Sequence, residues 1–353
     1  MRTRLTWLSA LVVPAVPALA SLMVLAVPAL ADDGIAGLGN GGLVLEKTDK
    51  IELRSEELYL STKEIRISYR FFNNTGQDLP ATIAFPLPDI TGSQEIDVDI
   101  PNPNDANFLK FKTKVDGKPI VSTIEQRAFL TAEGKQEEEI TGRLKEIGVP
   151  LMPTVQATAA VIAKLPADKL KALTDKQILE ANTFDDGKGA KTEYVPLWTL
   201  RAKFVRPQVF PAGKEILVEQ RYQPSIDTTS GVYLTKGSTE PETLEHNRKT
   251  FCTDDDFLKS AGVVEDQNKA RLASNSTAGL AVQESLAYVI TSGANWAGPI
   301  GDFRLVVDKG HADNLVSFCA DGVKKISPTQ FEVKIKDYLP TRDINVLFVE
   351  KHH

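Results

Sequence analysis

The sequence contains few residues of the types that bind metals or act as nucleophiles. It has two Cys and four His among 353 residues, and they form neither a C-x-x-C motif nor a four-ligand zinc pattern. The G-x-S-x-G, S-x-x-K and glycine-rich phosphate motifs are also missing from a suitable context. We therefore expect no metal and no other cofactor, and the sequence indicates no reaction.

The remaining composition is that of a globular protein. Hydrophobic residues make up 42% and charged residues 25%, which excludes disordered, collagen-like and coiled-coil proteins. The net charge is −6, and the basic residues are interspersed with acids as on an ordinary solvated surface. Nucleic-acid binding requires clustered Lys and Arg, so we expect no nucleic-acid partner.

The N-terminus carries no charge from Leu5 to Ala31. A basic start, a long apolar run and the small-residue site Ala29-Leu30-Ala31 predict a secretory signal peptide over residues 1–31, cleaved after Ala31. An earlier site at Ala18-Leu19-Ala20 and an uncleaved membrane anchor are the alternatives, because the run could span a bilayer. Pro28 favours cleavage, since it would break a helix there. We expect a periplasmic or secreted protein that is not membrane-bound after cleavage.

Two cysteines lie in the C-terminal third of the chain. In an oxidising compartment, Cys252 and Cys319 are expected to form a disulfide. The alternative is a thiol nucleophile or a metal pair, for which the body of the chain offers only His246 and His311 as partners. A disulfide would tie the start of the C-terminal unit to its middle.

Hydrophobic residues alternate with polar ones over much of the first half. Ile65–Phe71 has this period of two, and a turn follows at Asn73–Gly76. Asp116-Gly117 between two further alternating runs indicates a hairpin, and alternation returns from Trp198 to Tyr222. We predict an N-terminal β-sandwich unit over residues 32–225.

The middle of this unit changes period. Ser122 and Glu125 fit a capping box for a helix that would run through Ala128. Residues 137–147 and 155–182 also have helical spacing, with a break at Pro166. The sequence therefore predicts a helical insertion around residues 122–182.

A segment rich in Pro, Ser, Thr and Gly divides the chain. Residues 226–241 are predicted to be a linker, and residues 242–353 a C-terminal disulfide-tied β-rich unit. A helix capped by Thr253 and Asp256 is expected to open that unit. The predicted fold class is mainly β with α insertions, in two β-sandwich-like units.

Trp296 lies in a loop rich in Gly and Pro. With Asn295 and Pro299 it is the candidate binding site, because a large aromatic residue in such a loop can anchor a partner. The alternative, which we favour, is that Trp296 folds over the core. The acidic residues of Asp97–Asn107 and Asp254–Asp256 could bind a cation, but a solvated turn and a helix N-terminus explain them without function.

Several short motifs carry a resemblance to a known family. The chain resembles the bacterial domain of unknown function (DUF) family 4424 over about residues 32–350, in Gly41-Gly42-Leu43, Tyr69–Asn73, Phe85-Pro86-Leu87-Pro88, Val115-Asp116-Gly117-Lys118, Trp296 with Gly298-Pro299-Ile300, and Val316–Cys319 with Lys325-Ile326-Ser327-Pro328. This resemblance implies an exported bacterial protein and no established activity. The order of the N-terminal motifs is also similar to the VIT β-sandwich of inter-alpha-trypsin inhibitor proteins.

Export and the absence of catalytic motifs together favour one functional class. We expect a non-catalytic periplasmic binding or assembly module, whose partner is a cell-envelope protein or polymer. The alternative is a cell-envelope hydrolase with acidic residues in a cleft between the two units. A pocket with several carboxylates would favour the hydrolase, whereas a flat surface or an open sheet edge would favour partner binding.

Overall fold

The computed structural model describes residues 34–39, 42–93, 97–131, 136–185, 187–274 and 279–351. The predicted signal peptide and its cleavage site lie outside the described residues. In the part of the chain that is described, no helix is both long and apolar enough to cross a membrane.

Strands make up most of the regular structure. In chain order they are β1 Gly34–Gly39, β2 Gly42–Glu46, β3 Ile51–Leu60, β4 Ile65–Asn73, β5 Leu79–Pro86, β6 Ile90–Thr91, β7 Asp97–Asp99, β8 Lys112–Val115, β9 Lys118–Ile120, β10 Thr123–Leu130, β11 Glu138–Glu139, β12 Leu179–Asp185, β13 Ala190–Pro196, β14 Thr199–Phe210, β15 Glu215–Tyr222, β16 Ile226–Thr229, β17 Val282–Tyr288, β18 Ile300–Asp308, β19 Leu315–Phe318, β20 Lys324–Lys325, β21 Gln330–Tyr338 and β22 Ile344–Glu350. The α-helices are α1 Thr141–Glu146, α2 Val155–Ile162, α3 Ala167–Asp175, α4 Pro241–Phe251 and α5 Asp255–Ala273, and a 3₁₀-helix covers Thr291–Asn295.

The largest sheet has eight strands in the order β20-β21-β18-β3-β4-β15-β8-β9. Its strands alternate as the sequence predicts: Ile65, Ile67, Tyr69 and Phe71 of β4 are buried, while Arg66 and Arg70 are exposed. Each strand therefore has one apolar face and one polar face, and the apolar faces together form one side of the sheet.

Two smaller sheets pack against that apolar side. One has the order β11-β10-β14-β5-β1-β2, with β6 beside β14, and the other has the order β19-β22-β17-β16-β7. Leu58 of the eight-stranded sheet, Phe204 of β14 and Val346 of β22 belong to the same buried cluster. The hydroxyls of Tyr69 and Tyr288, 3.1 Å apart, join the two layers inside this core. The prediction of a mainly β fold with α insertions is confirmed.

The two predicted units are not separated in the sheets. β18 pairs in parallel with β3, although one lies in the C-terminal half and the other near the N-terminus. The predicted linker at 226–241 contains β16, which lies between β7 and β17 and is hydrogen-bonded to both. The boundary is therefore corrected: strands from 32–225 and from 242–353 share two sheets, because the apolar faces of distant strands are buried together.

The predicted helix after Ser122 is wrong. Residues Thr123–Leu130 form β10, which pairs with β14 along seven residues. Ala128 and Leu130 of this strand are buried in a second apolar cluster, with Leu144 of α1 and Trp198. Pairing with β14 and burial outweigh the local capping motif, as tertiary context commonly does. The helices of the predicted insertion are confined to α1, α2 and α3.

Helices α4 and α5 contribute to a third buried cluster, in which Val264 of α5 packs with Leu347 and Val349 of β22. The predicted disulfide joins Cys252, at the end of α4, to Cys319, just after β19. Cys252 has a left-handed backbone with φ of 54°, which ends α4. The cap of α5 is Asp254 rather than Thr253, because the Asp254 carboxylate accepts a hydrogen bond from the Phe257 amide at 2.7 Å.

Candidate functional site

A groove of about 870 Å³ lies on the polar face of the eight-stranded sheet. Its floor is formed by five neighbouring strands, β18, β3, β4, β15 and β8. The side chains on the opposite face of these strands are in the core. Seven Lys or Arg side chains and three Glu line it: Lys63, Arg66, Lys110, Lys112, Lys114, Arg221, Arg304, Glu57, Glu64 and Glu219. This groove, called the sheet groove below, is positively charged although the whole chain has a net charge of −6.

Strand register brings three of these cations side by side. Arg66 of β4 lies opposite Arg221 of β15, and Arg221 lies opposite Lys112 of β8. Tyr59 of β3 lies on the other side of Arg66. Like charges directly opposite each other destabilise a sheet, so this row of cations reduces the stability of the fold.

One carboxylate offsets part of that repulsion. Glu64, in the turn before β4, forms ion pairs with both Arg66 and Arg221, the second at 2.5 Å between Arg221 Nη2 and Glu64 Oε2. The Arg66 guanidinium also lies over the Tyr59 ring, 3.8 Å from its centroid. Burial and a 3.0 Å hydrogen bond to Asp308 raise the pKa of the Tyr59 hydroxyl, which therefore remains neutral.

The next row across the sheet is balanced in charge. Arg304, Glu57, Ser68, Glu219 and Lys114 follow one another across the five strands from β18 to β8. Arg304 is paired with Glu332 at 2.8 Å and with Glu57 at 3.7 Å. The excess of positive charge is thus concentrated at the end of the sheet groove near β15 and β8.

Four lysines of the sheet groove form no ion pair with any residue that the structure describes. They are Lys63, Lys110, Lys112 and Lys114, and all four are exposed. Lys110 has a left-handed backbone with φ of 54°, which is unusual for a residue with a side chain. Its amide donates to the Asn107 carbonyl at 3.0 Å, and the Asn107 side chain hydrogen-bonds both backbone groups of Phe111.

A second group of charged residues lies on the inward face of the five-stranded sheet. Burial, followed by repulsion from the carboxylates of Glu350 and Asp99, raises the pKa of Glu284 to about 7. The Thr62 hydroxyl, next to Lys63 of the sheet groove, donates to Glu350 Oε1 at 3.2 Å. This cluster can hold a proton near neutral pH, but Glu284, Glu350 and Asp99 do not line the sheet groove.

Comparison with known proteins places the chain in a family. The family model described as "Domain of unknown function (DUF4424)" matches residues 31–347. The chain belongs to this family. No curated protein matches it. Nothing in this match bears on the predicted similarity to the VIT sandwich.

Among solved structures, the DUF4424 chain is similar to the crystal structure of a putative nutrient binding protein from Legionella pneumophila. The identity is 12%, the match covers 90% of this chain and 72% of that chain, and the TM-score is 0.37. An overlap at this level does not establish a shared fold.

The binding residues predicted from the DUF4424 sequence do not line the sheet groove. Trp296 is 4% exposed, and its ring lies 4.6 Å from Phe71 and 6.2 Å from Phe210 between centroids. The Asn295 carbonyl accepts a hydrogen bond from the Thr48 amide at 2.8 Å, and Pro299 is exposed. The structure thus places Trp296 in the core, which is the alternative that the sequence favours.

The sheet groove was not predicted from the sequence. Its basic residues alternate with apolar ones in single strands, as in Lys110-Phe111-Lys112-Thr113-Lys114, and this alternation is a usable signal. However, β8 pairs with β15, which is about a hundred residues later in the chain. No local pattern shows that Lys112 and Arg221 become neighbours.

Proposed function

We propose that this DUF4424 protein is an exported, non-catalytic binding module of the cell envelope, and that its sheet groove binds an anionic partner. The row formed by Arg66, Arg221 and Lys112 carries the proposal. Adjacent cations cost stability, and an anionic ligand would offset the part of that cost that Glu64 does not already offset. The partner is a cell-envelope polymer or protein with anionic groups.

Electrostatics supports the same assignment. A groove of one charge sign raises the local concentration of ligands of the opposite sign and accelerates their association. Because the chain as a whole has a net charge of −6, its overall charge does not attract an anionic ligand, and the sheet groove supplies local attraction. The shape supports binding too, since the groove is open along several strands rather than enclosed around a single small molecule.

Binding is tested by removing charge from the row. An Arg221→Gln/Lys112→Gln variant should elute from immobilised heparin, a sulfated polysaccharide, at clearly lower salt than the parent. Lys169→Gln/Lys171→Gln removes the same charge from α3 and is the matched control, which should elute as the parent does. Equal loss in both variants would contradict a role for the sheet groove.

Export belongs to the same proposal. The apolar run from Leu5 to Ala31 and its small-residue end support cleavage after Ala31. N-terminal sequencing of the protein from the envelope fraction should begin at Asp32. Recovery of the intact chain in washed membranes would contradict cleavage and establish an anchor.

The hydrolase alternative needs carboxylates that converge in a cleft. Glu284, Glu350 and Asp99 do converge, but on the inward face of the five-stranded sheet rather than in the sheet groove. Binding is therefore the function that the geometry supports best. The similarity of the N-terminal strands to the VIT sandwich stays a prediction and does not contribute to this proposal.

A further inference from the structure

The arginines of the sheet groove are already engaged with carboxylates of the protein. Arg66 and Arg221 are paired with Glu64, and Arg304 is paired with Glu332. Arginine recognises a single carboxylate or phosphate by two parallel hydrogen bonds from its planar fork. Each of these contacts joins one guanidinium nitrogen to one carboxylate oxygen, so the positive charge of the three arginines is partly neutralised by the protein itself.

Four lysines of the sheet groove have no ion pair among the residues that the structure describes, namely Lys63, Lys110, Lys112 and Lys114. A lysine ammonium is a compact point charge on a flexible stem, with little preference for the geometry of the anion. An exposed ion pair of this kind contributes little by itself. Useful affinity therefore requires that several lysines contact anionic groups of the same ligand at once.

The spacing of the lysines suits an extended ligand. Lys112 and Lys114 lie on the same face of β8, about 7 Å apart because a strand rises about 3.4 Å per residue. Lys110 lies two residues before Lys112, just ahead of the strand. Lys63 lies in the turn between β3 and β4. The four positive charges thus extend along and across the strands instead of surrounding one point.

The sheet groove also lacks an open aromatic surface among its described lining residues. The Tyr59 ring is covered on one face by the Arg66 guanidinium, and its hydroxyl is bonded to Asp308. The Tyr222 side chain is 3% exposed. Proteins that bind single-stranded nucleic acids stack the bases on aromatic rings, so this surface would recognise charge rather than rings.

We propose that the occupant of the sheet groove is a linear polyanion, a flexible polymer that carries one carboxylate or phosphate on each unit. This inference rests on the proposed anion-binding function. It adds that binding depends on the number of linked anionic groups and on Lys63, Lys110, Lys112 and Lys114 acting together.

The backbone at Lys110 offers a way to separate the effect on stability from the effect on binding. A left-handed conformation is unfavourable for a residue with a Cβ atom and is readily adopted by glycine. Strain of this kind is often retained at functional sites. A Lys110→Gly substitution should therefore leave the melting temperature unchanged or higher, yet weaken polyanion binding.

The main experiment compares ligands of different length on the mature protein. N-acetylglutamate, tetraglutamate and a 20-residue oligoglutamate are titrated at low salt, and a polyphosphate of matched total charge is titrated in parallel. The 20-residue ligand should bind at least about 30-fold more tightly than tetraglutamate, because more lysines are engaged at once. Polyphosphate should bind within about threefold of the 20-residue oligoglutamate, because lysines act as point charges.

Two variants with the same change in charge locate the contact. One variant has all four groove lysines replaced by Gln: Lys63, Lys110, Lys112 and Lys114. It should bind the 20-residue ligand at least about 30-fold more weakly, because the contributions of four weak ion pairs add. Replacing the exposed Lys164, Lys169, Lys171 and Lys176 by Gln is the control and should change it less than about threefold. Circular dichroism and melting curves verify that both variants are folded.

The outcomes separate this inference from the proposed function. Tight binding of N-acetylglutamate, or strong selection between oligoglutamate and polyphosphate, would overturn the polyanion inference while the anion-binding function stands. Equal loss of binding in the two four-lysine variants would overturn both proposals, because the lysines of the sheet groove would then contribute no more to binding than the control lysines do. Absence of binding to every anionic probe would also overturn both.

Discussion

Arg66 and Arg221 lie directly opposite each other on neighbouring strands, and the single carboxylate of Glu64 is paired with both. Two guanidinium groups so placed repel each other unless an anion lies between them. Glu64 comes from the turn before β4, so the folded chain supplies that anion itself. This arrangement explains how a sheet can carry a row of cations, and it makes Glu64 the residue whose removal is most informative.

We expect Glu64→Gln to lower the stability of the protein and to strengthen anion binding. Loss of the shared carboxylate leaves Arg66, Arg221 and Lys112 facing one another, which should cost about 1 kcal/mol in the free energy of unfolding at low salt. Salt should reduce this loss, because it screens the repulsion. Denaturant unfolding at two salt concentrations and heparin elution measure the two effects.

Glu219→Gln is the matched control for that variant. It also removes one negative charge from the sheet groove, but Glu219 forms no ion pair with the residues that the structure describes. Glu219→Gln should change heparin elution about as much as Glu64→Gln does, but it should lower the free energy of unfolding less. If Glu64→Gln were as stable as the parent at low salt, the bridging role of Glu64 would be wrong.

We expect the stability of the protein to fall as pH rises from about 4.5 to about 7, with Glu284 as one cause. The pKa of Glu284 is raised to about 7 in the folded chain, above its usual value near 4.5 in the unfolded chain. Between these values the folded state binds more protons than the unfolded state, so raising the pH favours unfolding. The contribution should not exceed about 2 kcal/mol, because Glu284 is partly exposed to solvent.

Unfolding free energies measured from pH 4 to pH 8 test this expectation. Glu284→Gln should flatten the profile and should be more stable than the parent at pH 8, where the parent carries a partly buried charge. Glu180→Gln, at an exposed position on β12, should leave the profile unchanged. Parallel profiles for the parent and Glu284→Gln would count against the assignment.

We expect Trp296→Ala to destabilise the fold strongly. The ring is buried between Phe71 and Phe210, so its loss should create a cavity and cost about 3–5 kcal/mol. Pro299→Ala, at an exposed position of the same loop, should stay within about 0.5 kcal/mol of the parent. Thermal melting compares the two, and an unchanged melting temperature for Trp296→Ala would show that this ring does not stabilise the core.

We expect removal of the disulfide to lower the melting temperature. Cys252 and Cys319 are 67 residues apart in sequence, and closing a loop of that size is commonly worth about 2–4 kcal/mol. The Cys252→Ala/Cys319→Ala variant and the parent treated with reductant should melt at the same lower temperature. Titration of the unfolded, unreduced parent should find no free thiol, and two reactive thiols would rule out the bond.

Much of the local structure was predictable from the sequence. The alternation at Ile65–Phe71 predicts β4 and the side of it that is buried, because a strand turns successive side chains to opposite faces. The even number of cysteines predicts the pairing of Cys252 with Cys319. The position of Trp296 in the core was the favoured alternative, although only the structure shows that Phe71 and Phe210 cover it.

Where local and distant interactions compete, the sequence alone was not sufficient. Ser122 and Glu125 form a good capping motif, yet the segment that they were expected to open as a helix is β10. A capping box stabilises a helix by a small amount, whereas pairing with β14 satisfies a row of backbone hydrogen bonds and buries Ala128 and Leu130. The larger gain determines the secondary structure.

The sequence alone predicts that this protein is mainly β, which side of strands such as β4 faces the core, and that Cys252 pairs with Cys319. Which strands are neighbours, and therefore where the sheet groove forms, depends on the tertiary structure. Arg66, Lys112 and Arg221 are far apart in the chain and become adjacent because β4, β15 and β8 share hydrogen bonds. The order of the strands in the sheet is the one that buries the apolar faces of all the strands together. No single segment of the sequence specifies this order.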